Sequence, residues 1–408
     1  MRLEARLPAD AVALRSLVAD GASVAGEVAA IVEAVRAGGD AALAGYVDRF
    51  DATEGAPVLV TAAELAAALA ALDPAVRAGL EVAVENVGAV ARAGLGEAKQ
   101  VTLAQGHTVT LREVPVRRAG IYAPGGRNPY PSTVVMGAVT ARAAGVDEVV
   151  VCAPGSHPVI LAACALCEVD AVYRMGGAHA VAALAHGTAT IPRVDVIAGP
   201  GGLYVQEAKR LVSATVGIDG FFGPSDVLVL AGAAADPALV AADLLAQAEH
   251  GPGTIVVLCS DDPALLEAVE PALRDAPETG AVAVTVLVAD APAALAFSDA
   301  FAPEHLELVG DGMEALAPAV RAAGCVFVGR AGATAFGDYV AGSNHSLPTG
   351  GAARYASTLN VRHFRRRMSE VRIGPAAVAL ASAGAPIARA EGFPVHAASM
   401  EIRQDVSG

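Results

Sequence analysis

The sequence predicts an α/β protein built from two doubly wound parallel sheets, with small units appended at its two ends. From about Asp147, short β-branched runs alternate with Ala-rich stretches: "EVVVCAP", "PVILAACALCE", "DAVYRMGG", "AHAVAALAHG", "VDVIAGPGG", "LYVQEAKRLVSA". Strand, Gly/Pro turn and helix in repeated succession imply a parallel sheet with helices on both faces. The pattern restarts after "GFFGPSD" with "VLVLAG", "TIVVLCSD", "AVTVLVAD", "HLELVG" and "CVFVG", so there are two such domains, Rossmann-like in plan. Finally, 408 residues are too many for one ordinary core.

The remaining segments are then placed around these sheets. Within the first 100 residues, "VAGEVAAIVEAVRAGGDAALAGYVDRF" and "LAAALAALDPAVRAGLEVAVENVGAVARA" carry apolar positions near a period of 3.6 and read as helices covering a sheet face. "QGHTVTLREVPVRRAGIYAPGG" alternates like strands, and the tail after about Asn360 reads as a separate small unit. The expected grouping joins residues 18–97 to 225–359 as one α/β domain, with 121–222 as the second. Residues 1–17 with 98–120 form a small unit, and 360–408 the C-terminal tail unit. The alternation at 278–290 resembles that at 148–154, but both are generic buried strands and mark no internal repeat.

Composition excludes several function classes. Apolar residues make up 54% and charged residues 17%, which argues for a folded protein and against disorder. A net charge of −15 and the lack of a long Lys/Arg cluster argue against a nucleic-acid partner, because such binding needs cations that displace counterions. "MRLEARLPADAVALRS" lacks the apolar core of a secretion signal, and the most apolar stretch, "IGPAAVALASAGAPIA", contains Gly and two Pro; a cytoplasmic protein without a membrane span is expected. The five Cys suit reduced thiols, and the C-x-x-C of Cys164 and Cys167 lies in an apolar helical run where burial is the better reading.

Chemistry enters at "LLAQAEHGPG", the end of an otherwise apolar helix. Asp236 followed by Pro237 makes a good helix start, and Gly251-Pro252 a good stop. Asp243, Gln247 and His250 are spaced i, i+4, i+7 and share a face, while Glu249 points elsewhere. Alone, this is a polar helix end with a histidine at the negative end of the dipole. A metal reading needs about four to six donors, so others must come from distant segments. "FAPEHLELVG" offers Glu304 and His305, "FGDYVAGSNHSLPTGG" offers Asp338, Asn344 and His345, and "AEGFPVHAAS" offers Glu391 and His396. Loops at strand ends are where α/β proteins place their chemistry.

Together these segments resemble the histidinol dehydrogenase family over almost the whole chain. "GIYAPGGRNPYPSTVVMGAVTARAAGV", "GPSDVLVLA", "QAEHGP", "PEHLEL", "GDYVAGSNHSLPT" and "EGFPVH" stand in that family's order and spacing. The resemblance implies oxidation of L-histidinol through histidinal to L-histidine, the last steps of histidine biosynthesis, with two NAD and one zinc per subunit. It implies zinc ligands at Gln247, His250, Asp338 and His396, and His305 as general base and acid. Glu304 activates the water that hydrates the aldehyde, and Ser225, His345 and Glu391 join the zinc ligands and His305 in holding substrate. It further implies a homodimer in which the C-terminal tail reaches the partner's active site. These residue types suit the chemistry: zinc orients and polarises without redox change, a hydride leaves to NAD, and an imidazole takes a proton near neutral pH.

The cofactor side departs from the family pattern. No G-x-G-x-x-G follows a strand; "IAGPGGLYVQ" has the right context with different spacing. Tyr122 matches the family's NAD-contacting tyrosine, but His179 stands where a glutamine is usual and Gly202 where an asparagine is usual. Losing two neutral hydrogen bonds costs on the order of 1–3 kcal/mol, about ten- to a hundredfold in NAD affinity. Two other readings stay open: a dehydrogenase of another small polar alcohol, and a zinc protein without NAD use, acting as a hydrolase or binding protein.

Overall fold

The computed structural model describes residues 2–4, 8–17, 24–51, 53, 55–125, 128–220, 223 and 225–404. The chain opens with β1 (Arg2–Glu4), α1 (Pro8–Ala13) and the helices α2 (Ala25–Phe50), α3 (Ala62–Ala70) and α4 (Pro74–Ala93). Two strands follow, β2 (Lys99–Thr102) and β3 (Thr108–Pro115). A first α/β run comprises β4 (Arg118–Tyr122), α5 (Pro131–Ala143), β5 (Glu148–Cys152), α6 (Pro158–Leu166), β6 (Ala171–Tyr173), α7 (Gly177–His186), β7 (Val196–Ala198), α8 (Leu203–Val212) and β8 (Gly217–Ile218). The second run comprises β9 (Asp226–Ala231), α9 (Pro237–Ala248), β10 (Ile255–Ser260), α10 (Pro263–Asp275), β11 (Val282–Leu287), α11 (Ala291–Phe301), β12 (His305–Val309), β13 (Cys325–Val328) and α12 (Thr334–Tyr339). Strand β14 (Arg365–Arg372) and helices α13 (Ala377–Ala390) and α14 (Pro394–Glu401) end it.

Two units separate: Met1–Gly94 with Val116–Phe364, and Leu95–Pro115 with Arg365–Gly408. The larger holds both predicted parallel sheets. One has the order β6-β5-β4-β7-β8, the other β1-β11-β10-β9-β12-β13. In each, the run begins on a central strand, winds outward to one side, then returns to wind the other way, which puts a switch point between β4 and β7 and another between β9 and β12. Val227, Leu228, Val229 and Leu230 of β9 are all 0% exposed, so both faces of this strand are covered. Each such side chain contributes about 1.5–3 kcal/mol by its burial. The smaller unit is an antiparallel sheet, β14-β3-β2, with the helix pair α13 and α14.

Packing regroups the expected domains. Helices α2 to α4 cover the five-stranded sheet rather than joining 225–359: α2 packs with α7 and α8, α3 with α6, and α4 with α5. Their 3.6-residue stripes fix that they bury a face, but not against which sheet. Nor do residues 1–17 stand apart with 98–120. β1 is a parallel edge strand on β11, and α1 lies on α11. Residues 99–115 pair instead with β14, and 118–122 form the central strand β4.

The helix starts follow their residues. Asp236, Asp262 and Asp290 each cap the helix that follows, with a proline in its first turn. All five cysteines are free, with Cys164 and Cys167 buried as expected. Among the described residues, no helix is long and apolar enough to cross a membrane.

Candidate functional site

Glu304 and Ser225 meet at the amino edge of the six-stranded sheet, where β9 and β12 run side by side. The register pairs His305 with Val227, which sets residue 304 beside residue 226. Two backbone-to-carboxylate hydrogen bonds lock the strand starts together: Asp226 N–H donates to Glu304 Oε2 at 2.9 Å, and Glu304 N–H donates to Asp226 Oδ1 at 2.8 Å. Ser225 hydroxyl also donates to Glu304 Oε2, and Gln247 Nε2 donates to Ser225 Oγ. That chain of donors fixes the amide of Gln247, turning its Oε1 away from the serine. Glu304 Oε1 has no hydrogen bond among the described residues. This candidate site therefore lies at the amino edge of its sheet, whereas the rule for open α/β sheets puts sites at the carboxyl edge.

His305 lies against this carboxylate and is 2% exposed. Its Nδ1 is 3.4 Å from the carbonyl of Asp226 and 3.7 Å from Glu304 Oε2. Its Nε2 lies 3.5 Å from Asp338 Oδ1, an ion-pair distance, and makes no hydrogen bond among the described residues. Burial raises the Glu304 carboxyl to about 7, offset in part by His305. Burial alone would lower His305, but Glu304, Asp338 and Asp226 together lift it to about 9. Burial alone would likewise raise Asp338, and the surrounding His305, His345 and His250 hold it below the usual carboxylate range.

His250 lies just past α9, is solvent accessible, and has no hydrogen bond to its ring among the described residues. The dense protein around it lowers its pKa through desolvation, against the pull of Asp338. Gln247, His250 and Asp338 thus present an amide oxygen, an imidazole nitrogen and a carboxylate to one region, a donor set that fits zinc. No group of three or more His, Cys, Asp or Glu side chains suited to a metal gathers among the described residues. The expected ligands account for this, since only His250 and Asp338 of those types lie in this unit. The fourth expected ligand, His396, stands in the smaller unit with Glu391; both are exposed, and His396 lies 5.2 Å from Phe393, ring to ring.

His345 is oriented by its surroundings. Nδ1 donates to the carbonyl of Asp338 at 2.9 Å, which leaves Nε2 to accept from the Thr133 hydroxyl at 3.1 Å. Desolvation lowers its pKa, in keeping with a neutral ring. Asn344 is wholly structural: it donates to Met136 O and Thr140 Oγ1 and accepts from Ser346 N–H. Sequence reasoning missed Asp226, although it lies in the quoted "GPSD", and Thr133, which lies in "YPSTVV".

The expected cofactor residues lie at the carboxyl edge of the five-stranded sheet. Tyr122 ends β4, and its hydroxyl accepts from Gly177 N–H at 2.9 Å. The turn Gly199–Gly202 joins β7 to α8 across the switch point. Gly199 has φ +128° and a Cβ there would stand 2.1 Å from Tyr122 O, so only glycine fits. Asp219 accepts from Gly199 N–H, and the fully buried Lys209 pairs with Asp219 and donates to Gly199 O. Gly202 faces open space. His179 departs from the expectation. Its Nε2 lies 2.7 Å from Asp51 Oδ2 and its ring stacks on Tyr46 and Phe50. A buried imidazole needs a partner, and Asp51 supplies it, so this nitrogen is not free for a ribose or phosphate.

The model of the histidinol dehydrogenase family matches residues 15–404. Histidinol dehydrogenase of Parasynechococcus marenigrum (strain WH8102) is 43% identical over 397 residues, covering 93% of this chain and 91% of the relative. That of Rhizobium meliloti (strain 1021) is 44% identical over 394 residues, covering 92% and 91%. The crystal structure of histidinol dehydrogenase from Elizabethkingia anophelis superposes with a TM-score of 0.88 at 30% identity, covering 93% of this chain and 92% of the other. The sheets, the site at their edges and these likenesses agree: the chain belongs to the histidinol dehydrogenase family.

Proposed function

We propose that this protein oxidises L-histidinol through L-histidinal to L-histidine, the last steps of histidine biosynthesis, with zinc and NAD, as a cytoplasmic homodimer. The observation that carries the reading is the buried pair Glu304–His305: a carboxyl poised near neutrality beside an imidazole whose Nε2 has no hydrogen-bond partner among the described residues. Oxidising an alcohol and then a hydrated aldehyde requires proton acceptors for two different oxygens. His305 Nε2 takes the alcohol proton. Glu304, held through Oε2 with Oε1 free, takes a proton from the water that adds to the aldehyde. Bound by Gln247, His250, Asp338 and His396, zinc would polarise the substrate and offset the Asp338 charge that favours protonated His305. Ser225, His345 and Glu391 line the substrate, the last as a counter-ion for its ammonium.

NAD, as hydride acceptor, fits the carboxyl edge of the five-stranded sheet, where the amino end of α8 faces the Gly199–Gly202 turn. The corresponding edge of the six-stranded sheet is lined by Asp236, Asp311 and Glu314, with Arg330 already paired to Asp236, and the remaining negative charge disfavours a pyrophosphate. The exchanged tail is supported by exposed apolar side chains around Glu391 and His396: Ile387 is 60% exposed, Phe393 52%, Val395 78% and Ile402 74%. Apolar surface of this kind is suited to cover by a second copy.

With L-histidinol and NAD, two NADH per substrate are expected; prolonged chelation should abolish the activity and zinc restore it. Full activity in protein shown to be metal-free by elemental analysis would sink the zinc assignment.

Glu304→Gln should lower histidinal oxidation by about a hundredfold or more while sparing the alcohol step more. In the native chain, histidinal oxidation should rise with pH through about 7, as the carboxyl loses its proton. An acid limb that persists unchanged in Glu304→Gln would assign it to another group.

Because Gly202 faces open space, Gly202→Asn should lower the KM for NAD about three- to tenfold with histidinol KM unchanged. A KM for NAD that stays the same would remove Gly202 from the cofactor site.

Refolding an equal mixture of His305→Ala and His396→Ala chains should recover about a quarter of wild-type activity, since half the dimers are mixed and each carries one intact site. No recovery, with mixed dimers proven by mass spectrometry, would mean that each site is completed within one chain.

A further inference from the structure

A partly buried arginine outside the residues assigned above is wired into the floor of the site. Arg15 lies in the 3-10 turn Leu14–Leu17 that follows α1, and its side chain is 18% exposed. Its guanidinium pairs through Nη1 with Asp226 Oδ2, and the other oxygen of that carboxylate receives the Glu304 amide. Nη2 donates to Phe301 O at 2.9 Å and to Ala302 O at 3.1 Å, and the guanidinium lies 3.8 Å above the Phe301 ring. All these contacts bear on the segment that delivers Glu304.

That segment needs support. Ala302 follows the end of α11 in the left-handed conformation, φ 51° and ψ 67°, which is unfavourable for a residue other than glycine. Next comes Pro303, then Glu304. The carbonyls at the end of α11 have no further turn to bond them, and Arg15 satisfies them while placing a cation at the negative end of the helix. Charge makes a second demand. Glu304 and Asp226 are buried carboxylates tied by reciprocal hydrogen bonds, and the charge of Asp226 works against the ionised form of Glu304. His305 faces Glu304, the neutral Ser225 hydroxyl completes that side, and Arg15 faces Asp226.

We propose that Arg15 is a positioning residue for the reaction, acting through Asp226 and the carbonyls of Phe301 and Ala302 to hold Glu304 in place and ionised. The inference rests on the reading of Glu304 as the base that activates water. Without Arg15, the Asp226 charge is unbalanced and opposes ionisation of its neighbour; without the fork to 301 and 302, the turn before Glu304 loosens.

The test uses full-length Arg15→Met, Arg15→Lys, Asp226→Asn and the double variant Arg15→Met/Asp226→Asn, each checked for folding by circular dichroism and thermal melting. Arg15→Met should lower kcat for histidinal about ten- to a hundredfold with KM within about threefold. Its acid limb should move up by about one pH unit. Asp226→Asn should move the limb down, since it leaves the Arg15 cation unbalanced, and the double variant should bring it back near its native position, because charge and counter-charge are then both gone. Arg15→Lys should keep the limb near its native position yet recover the rate only in part, since an ammonium cannot fork to the carboxylate and both carbonyls. Folded Arg15→Met with native kcat and native limb would overturn the proposal. Should Arg15→Met fail to fold, Asp226→Asn and Arg15→Lys decide: a limb unmoved in the first, or a native rate in the second, overturns it. Glu304→Gln, run alongside, separates the two ideas. Full histidinal oxidation there removes the base assignment, whereas a loss there beside native Arg15→Met removes only the role of Arg15.

Discussion

The reciprocal hydrogen bonds between Asp226 and Glu304 are the constraint from which the site is built. They join residues 78 apart in sequence at the starts of two neighbouring strands, and each uses a backbone N–H to satisfy a carboxylate. The amino edge of a parallel sheet suits this, because the strands begin there with N–H groups not yet taken by a neighbour. Two carboxylates can be buried at such an edge, where the Glu304 oxygen also gathers Ser225 and, through it, Gln247 of α9. One shared oxygen thus sets the spacing between a sheet, a helix and the proton-handling residues.

On the proposed reading, the two sheets divide the chemistry by edge. At the carboxyl edge of the five-stranded sheet the chain turns tightly on glycines into helix amino ends, whose N–H groups and dipole suit an anion. At the amino edge of the six-stranded sheet the same physics favours carboxylates that accept from strand N–H groups. The helices around the five-stranded sheet also support the other site. Asn86 of α4 donates to Val340 O at 2.7 Å, and Met136, Thr140 and Thr133 of α5 hold Asn344 and His345. The loop that follows Asp338, which ends in His345, is therefore fixed by the neighbouring sheet's helices, while Asp338 itself stands on α12.

What the sequence made legible follows from how local each signal is. The strands of both sheets and the capped start of α9 were readable because burial on both faces and an Asp-Pro start each leave a mark within a few residues. The i, i+4, i+7 spacing brought Gln247 and His250 to one place, and the family resemblance joined Glu304, His305 and Asp338 to them. Allocation of α2 to α4 was not legible, since an apolar stripe does not name the sheet it covers. The three-residue strand β1 was too short to show. Arg15 looks like any surface arginine until Asp226 and the end of α11 are folded onto it. His179 was readable as a departure from the family, but only Asp51, 128 residues away, explains where its ring goes.

Chain neighbours in a strand point to opposite faces, yet Glu304 and His305 end 3.7 Å apart. This is possible because Glu304 precedes β12: the left-handed Ala302 and Pro303 turn its side chain back across the strand start, free of the alternation that binds His305. At that distance the two groups do not titrate independently, for a proton gained by either favours loss of a proton from the other. In the proposed sequence of steps, His305 gains a proton during alcohol oxidation, and its positive charge then favours the ionised Glu304 needed when water adds to the aldehyde. On this reading the first oxidation prepares the base for the second through the contact between adjacent residues.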